Sequence, residues 1–177
     1  MERLRKAKDS DLPNVQKLLG RAEKGMGYDG LPPFSHYYKP GDGLYVYADG
    51  ARLIGVADAS NSLEPLFKTN AAAKTTALLE KISYSGERIV LFNAFVIDPA
   101  YWRRHKGRDF HNGLLSYFGK GSYFALLSRF NKPALSFFSS LGYFIVDEGT
   151  DLDFPDKTLM LMAKPFRKTG LCSESLF

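Results

Sequence analysis

The sequence predicts an α/β (α+β) fold built on a mixed sheet, and two observations predict it. Runs with strand-like apolar patterning interleave with runs of helical spacing, in the order β-α-loop-β-β-insert-β-α-β-α-β-β. The composition of the 177 residues, 45% hydrophobic and 14% aromatic, is enough to bury a core within the usual size of one domain. That domain is expected over 1–166, with a polar tail at 167–177.

Residues 2 to 7 (ERLRKA) read as a short strand. KDSDLPNVQKLLGRAE follows, where Ser10 or Asp9 can cap a helix that gathers Leu12, Val15, Leu18 and Leu19 on one face. The Gly-, Pro- and Tyr-rich stretch KGMGYDGLPPFSHYYKPGDG breaks regular structure and reads as a long loop of the kind that borders binding sites. In LYVYADGARLIGVA, Asp49-Gly50 between two β-rich runs marks a hairpin. Residues 58 to 86 read as an insertion carrying a helical segment near 70 to 83.

The run RIVLFNAFVI (88 to 97) is too apolar for an edge strand and is expected to be central and buried on both faces, ending at Asp98-Pro99. Beyond a basic turn at 103 to 108, Phe110, Leu114 and Phe118 recur at helical spacing. YFALLS (123 to 128) reads as a strand, NKPALSFFSSL as a short helix, and YFIVDE and TLMLMAKPF as two final strands.

Composition also excludes. The charged N-terminus lacks the apolar stretch of a signal peptide, and no run approaches the ~20 apolar residues of a membrane span, so a cytoplasmic protein is expected. One cysteine, Cys172, allows neither an intrachain disulfide nor a cysteine-based metal site, and no metal is expected. The net charge of +5 makes phosphorylated cofactors and nucleic acid plausible partners.

That charge is concentrated. Arg103, Arg104, His105, Lys106 and Arg108 crowd the turn between the central strand and the next helix, together with Gly107. A helix N-terminus offers unpaired N–H groups and a favourable dipole, glycine permits close approach, and the cations add charge, which together suit a pyrophosphate.

The run from 88 to 147 resembles the GNAT N-acetyltransferase superfamily. Ile97-Asp98-Pro99 stands for the step that ends the fourth strand, Arg104-His105-Lys106-Gly107-Arg108-Asp109 for the R/Q-x-x-G-x-G/A phosphate loop, and the stretch from Asn131 through Ala134, Phe137, Phe138 and Gly142 to Tyr143 for a later N-x-x-A-x-x-F-Y-x-x-x-G-F motif. The resemblance implies a mostly antiparallel sheet flanked by helices, with splayed fourth and fifth strands, and transfer of an acetyl or related acyl group from acetyl-CoA to an amine. It implies that the backbone of Phe95, Val96 and Ile97 pairs with the pantetheine arm and that Arg104 to Asp109 cradle the pyrophosphate. Asn131 and the following helix would line the other side of the arm, with Phe138 at its acyl end. Phe137, Tyr143 and Phe144 read as core.

Three positions depart from the pattern. Asp109 stands where the family has Gly or Ala, and a carboxylate there repels a pyrophosphate. Phe138 replaces a tyrosine that would protonate the departing thiolate. Asn93 stands near where some members carry a carboxylate base, and an amide cannot accept the proton. Asp98 and Tyr123, with His36, Tyr37 and Tyr38 on the long loop, are the remaining candidates for acid or base. The departures leave open a GNAT-like binding module without turnover. Nucleic acid is a further alternative, although the cations cluster at one turn rather than striping a face.

Overall fold

Strand order in the sheet is β1-β2-β3-β4-β5-β7-β6. The computed structural model describes residues 2–26, 43–61, 88–128, 131–150 and 158–164. The strands are β1 (Glu2–Lys6), β2 (Leu44–Asp49), β3 (Arg52–Ser60), β4 (Ile89–Ile97), β5 (Ser122–Ser128), β6 (Phe144–Thr150) and β7 (Thr158–Lys164). The helices are α1 (Leu12–Met26), α2 (Lys106–Phe118) and α3 (Lys132–Ser140). Pairing is antiparallel at β1/β2, β2/β3, β5/β7 and β6/β7 and parallel at β4/β5, so the mixed, mostly antiparallel sheet is the one expected. The parallel ladder spans Ile89↔Ser122 to Phe92↔Ala125, while β4 runs on to Ile97 and β5 to Ser128. The recorded β4/β5 ladder thus covers the first four residues of each strand.

Contacts divide the chain into two compact units, Met1–Ala59 with Ala94–Tyr117, and Ser60–Asn93 with Phe118–Phe177. In the first, alternation along β2 sorts side chains to two faces. Leu44, Val46 and Ala48 pack with Leu53, Val56 and Val96 against Val15, Leu18, Leu19 and Ala22 of α1. Tyr45 and Tyr47 meet α2 instead, through Tyr117 at 5.1 Å and a Phe110 ring stacked at 5.4 Å. One helix thus covers each face of these strands. The predicted apolar stripes hold: Leu18, Phe110 and Leu114 are wholly buried, each worth roughly 1.5–3 kcal/mol of burial.

In the second unit aromatic rings pack beside the buried Val90, Leu91, Leu161 and Met162. Phe92 stacks on Tyr123 at 6.2 Å and lies 6.5 Å from Phe138, which meets Tyr143 edge-on at 5.1 Å.

Local departures from the sequence reading have physical causes. Neither Ser10 nor Asp9 caps α1: a 3-10 turn at Asp9–Asp11 precedes it, and Asp11 accepts from the Lys8 N–H at 2.8 Å while Arg5 grips both its oxygens at 2.6 and 2.9 Å. The helix also continues to Met26, where Gly25 leaves room for Trp102; a Cβ there would lie 3.0 Å from the indole. Asp49 pairs with Arg52, so the hairpin loop is Gly50-Ala51, one residue later than expected, with Gly50 at φ +57°.

A bulge on β3 skips Ile54, whose carbonyl accepts the Asp98 N–H at 2.9 Å where β4 ends. β3 reaches Ser60, so Asp58, Ala59 and Ser60 are strand rather than insertion. The helix expected at 70 to 83, the loop bearing His36, Tyr37 and Tyr38, and the tail with Cys172 lie outside the described residues. Among the described residues, no helix is long and apolar enough to cross a membrane.

Candidate cofactor site

The end of β4 is held from both sides. The Phe95 ring stacks on Phe110 at 5.1 Å, Val96 is buried toward α1, and Gly55 of β3 admits Ile97, whose Cδ1 would sit 2.7 Å from any added Cβ. The Ile97 carbonyl accepts the Trp102 indole N–H at 2.8 Å, so one of the backbone groups expected to meet the pantetheine arm already has a partner. Asp98 is 2% exposed. Its Oδ1 accepts the Ala100 N–H at 3.0 Å and caps a 3-10 turn at Pro99–Tyr101, and its Oδ2 accepts from Arg21 at 2.6 Å. Both oxygens are engaged, which makes this carboxylate a support for the chain's exit from β4 rather than an open base.

Between that turn and α2, two residues adopt left-handed backbone: Arg103 at φ +61° and His105 at φ +60°. At the second of these, left-handed His105 is followed by right-handed Lys106 at the start of α2, and such a step turns consecutive N–H groups to one side, an arrangement suited to anions. The carbonyl of His105 accepts the Asp109 N–H at 3.0 Å, the first helical bond. Lys106, Gly107 and Arg108 are therefore the first turn of α2, and not part of a preceding loop as the sequence suggested. Their N–H groups have no intrahelical acceptor and point out of the positive end of the helix.

Charge at this turn is distributed unevenly. Arg103, Arg104, His105 and Arg108 are exposed. Lys106 turns toward β1, with its ammonium 2.6 Å from Glu2, and the hydrogen bond to Glu2 raises its pKa. The same ammonium lies 3.8 Å from the Asp109 carboxylate. Asp109 thus stands one helical turn from a cation, which partly offsets the repulsion expected of it.

In the other unit, the stretch from Asn131 to Tyr143 is a capped helix. The Asn131 side-chain oxygen accepts the Ala134 N–H at 3.1 Å, and Pro133 occupies the first turn, where its missing N–H costs nothing. At the far end Gly142 adopts φ +87°, its N–H donates to Ser139 at 3.0 Å, and the Tyr143 N–H donates to Phe138 at 3.1 Å. This is the paired closure that needs glycine just past a helix.

One aromatic departs from the core reading here. Phe138 is 1% exposed, packed by Phe92, Phe137 and Tyr143, whereas Phe144, expected in the core, is 39% exposed on the edge strand β6 and Phe137 is half-buried. The cause is α3, whose spacing turns Phe138 inward. Tyr143 is buried as expected. The buried Tyr123 phenol donates to the Gly119 carbonyl, and burial raises its pKa, keeping it protonated. Asn93 is half-buried on β4, one residue past the last rung with β5.

Sequence reasoning gave no role to Arg21, Trp102 or His111. Arg21 and Trp102 are the partners of Asp98 and Ile97, and their pairing across 77 and 5 positions leaves no local pattern. His111 is wholly buried on α2, with Phe95 edge-on at 6.3 Å. Its place beside Phe110 and three residues before Leu114 was a legible signal of an inward position.

No family model matches the sequence, and no curated protein matches it. Solved structures do match the fold. The ribosomal-protein-S18-alanine N-acetyltransferase of Escherichia coli is similar with a TM-score of 0.62 at 15% identity, covering 94% of each chain. Arabidopsis thaliana Naa50, solved with the bisubstrate analogue CoA-Ac-MVNAL, is similar with a TM-score of 0.60 at 14% identity, covering 93% of this chain and 99% of that one. A GNAT-family acetyltransferase of Streptococcus agalactiae is similar with a TM-score of 0.65 at 15% identity, covering 94% and 96%. Strand order, the partial β4/β5 ladder and these similarities agree that the chain carries the GNAT acetyltransferase fold.

Proposed function

We propose that this protein is an acetyl-CoA-dependent N-acyltransferase that transfers an acetyl or related acyl group directly to an amine. The observation that carries the reading is the junction of β4 and α2. Two left-handed residues, a helix N-terminus and the exposed cations Arg104 and Arg108 converge at the end of a central strand of a GNAT sheet. In this reading the N–H groups of Lys106, Gly107 and Arg108 bind the diphosphate, with Arg104 and Arg108 supplying charge and the exposed His105 imidazole a further polar contact. Lys106 contributes through its backbone, because its side chain is paired with Glu2.

The pantetheine arm runs along the backbone of Phe95 to Ile97. The amine nitrogen attacks the thioester carbonyl carbon and gives up its proton, the carbonyl oxygen takes up negative charge, and the C–S bond breaks to release coenzyme A, which takes a proton at sulfur. Strand N–H groups near Val96 and Ile97 stabilise the oxyanion. With Phe138 buried and unable to donate, and Asp98 occupied, proton transfer falls to water or to a group on the acceptor side. Asn131 caps α3 through the Ala134 N–H. The compartment in this reading is the cytoplasm.

Isothermal calorimetry with acetyl-CoA, paired with a thiol-release assay over a panel of amines and N-terminal peptides, tests this. Saturable binding that weakens at least tenfold in Arg104→Gln/Arg108→Gln supports it, and absence of binding by the folded chain removes it.

A further inference from the structure

A basic concavity lies on the first unit, lined by none of the residues between Arg103 and Asp109. It encloses about 390 Å³ and is lined by Asn14, Lys17 and Arg21 of α1, Arg52 beside the β2-β3 turn, and Asp98 with Ala100 beyond β4. Asn14, Lys17 and Arg21 follow the i, i+3, i+7 spacing that places them on one stripe of the helix. Lys17 and Arg21, four apart, are like charges that repel, and Arg52 adds a third cation across the cleft.

The lining holds a single acid, Asp98, so three cations against one carboxylate give the cleft a net charge of +2. That acid is used internally: its Oδ2 accepts from Arg21 at 2.6 Å and its Oδ1 from the Ala100 N–H at 3.0 Å. Arg21 is half exposed, and its guanidinium carries five donors, of which the Asp98 contact uses one. Arg52 is positioned over the Tyr101 ring, 5.0 Å from its centroid, which fixes its approach while leaving its N–H edge for another partner.

We propose that this cleft binds a small phosphorylated ligand, with Arg21, Arg52 and Lys17 as donors to the phosphoryl oxygens and Asn14 as a neutral partner. The buried Asp98 holds one guanidinium in place, Tyr101 holds the other, and a doubly charged phosphate monoester cancels the excess of +2. The volume is that of a small-molecule site, and the cations face one concavity, where a nucleic-acid partner calls for a stripe that extends along the surface. This proposal does not depend on acetyl-CoA binding at α2.

The test is nuclear magnetic resonance of the full chain with ¹⁵N-labelled arginine, titrated with inorganic phosphate and, separately, with chloride at matched ionic strength. The Nε–Hε resonances of Arg21 and Arg52 are expected to shift saturably with phosphate and not with chloride. The exposed-site double variant Lys17→Gln/Arg52→Gln is expected to weaken the Arg21 response at least tenfold with an unchanged melting temperature. Arg104→Gln/Arg108→Gln is expected to leave the response intact, which separates this site from the one at α2. Equal shifts with chloride, shifts confined to Arg103, Arg104 and Arg108, or an undiminished response in the double variant would overturn the proposal. A single-stranded RNA oligonucleotide that outcompetes both phosphate and a phosphorylated sugar, with an affinity that grows with its length, would overturn it in favour of nucleic acid.

Discussion

Arg21 donates to the buried carboxylate of Asp98 at 2.6 Å, tying the middle of α1 to the point where the central strand ends. Truncating Arg21 leaves Asp98, 3% exposed at its side chain, without its cation. Hydrogen bonds to charged groups are worth about 1.5–3 kcal/mol, and Arg21→Met is expected to lower unfolding free energy by that amount in urea titrations. Asp98→Asn, which keeps an acceptor for the Ala100 N–H, should cost less than Asp98→Ala. Equal losses in the two variants would show that the cap contributes nothing.

The Arg5–Asp11 pair sets an acid limit on stability. The hydrogen bonds from Arg5 lower the Asp11 pKa in the folded chain, and the Lys8 N–H adds to the effect. A depressed folded pKa means that the unfolded chain binds this proton first as pH falls. The contribution is therefore complete above the unfolded value of about 4 and is lost as pH drops through the folded value. Asp11→Asn should lower stability at neutral pH by at most about 2 kcal/mol, since half-exposed Arg5 is partly screened, and should flatten the stability profile below pH ~4. A variant profile parallel to the parent's would assign the acid response to other carboxylates.

Gly55 faces the end of β4, where an added Cβ would meet Ile97 Cδ1 at 2.7 Å, Phe110 Cδ1 at 3.0 Å and the Val96 carbonyl at 3.1 Å. Overpacking of this kind costs about 1–3 kcal/mol. Gly55→Ala should unfold earlier by that margin. It should also weaken acetyl-CoA binding, because Val96 and Ile97 must shift to admit the methyl group. A destabilised variant with unaltered affinity would place the cofactor arm away from this stretch of strand.

Much of this architecture was legible because it follows from periodicity. Leu18 and Leu19 on α1, Phe110 and Leu114 on α2, and the alternation of Leu44, Val46 and Ala48 with Tyr45 and Tyr47 all sit where spacing alone puts them. Asn131 and Gly142 were legible as motif letters, and their structural meaning is the two ends of one helix.

The backbone at the site was not legible. Nothing in the identity of Arg103 announces a left-handed conformation, the enrichment of histidine there is too weak a signal to place His105, and α2 starts four residues before its apolar stripe begins. The partners of Asp98 and Lys106 come from α1 and β1, and such long-range pairings leave no trace in local sequence.

That left-handed turn has a separable cost. An L-residue at φ +60° is disfavoured by roughly 1 kcal/mol, which glycine avoids. His105→Gly should therefore raise thermal stability slightly while reducing acetyl-CoA affinity less than Arg104→Gln/Arg108→Gln does, since the backbone donors remain. Loss of stability in His105→Gly would mean that the imidazole contributes more than the backbone strain removes.

Asp109 provides the sharpest reading of the site, because its carboxylate sits in the first turn of the helix proposed to face the diphosphate. Its neighbour Lys106 lies 3.8 Å away but is held more closely by Glu2 at 2.6 Å, so the compensation of Asp109 is partial. An exposed pair of charges interacts by about 0.2–1 kcal/mol at low ionic strength. Asp109→Asn should then tighten acetyl-CoA binding by about two- to fivefold, with the gain shrinking as salt is added. The same substitution should leave binding of desulfo- or dephospho-cofactor analogues tightened to the same degree, since both retain the diphosphate, and should leave free pantetheine unaffected. An affinity that does not change, or a gain that extends to pantetheine, would place Asp109 outside the field of the phosphates and would move the anion site away from the first turn of α2.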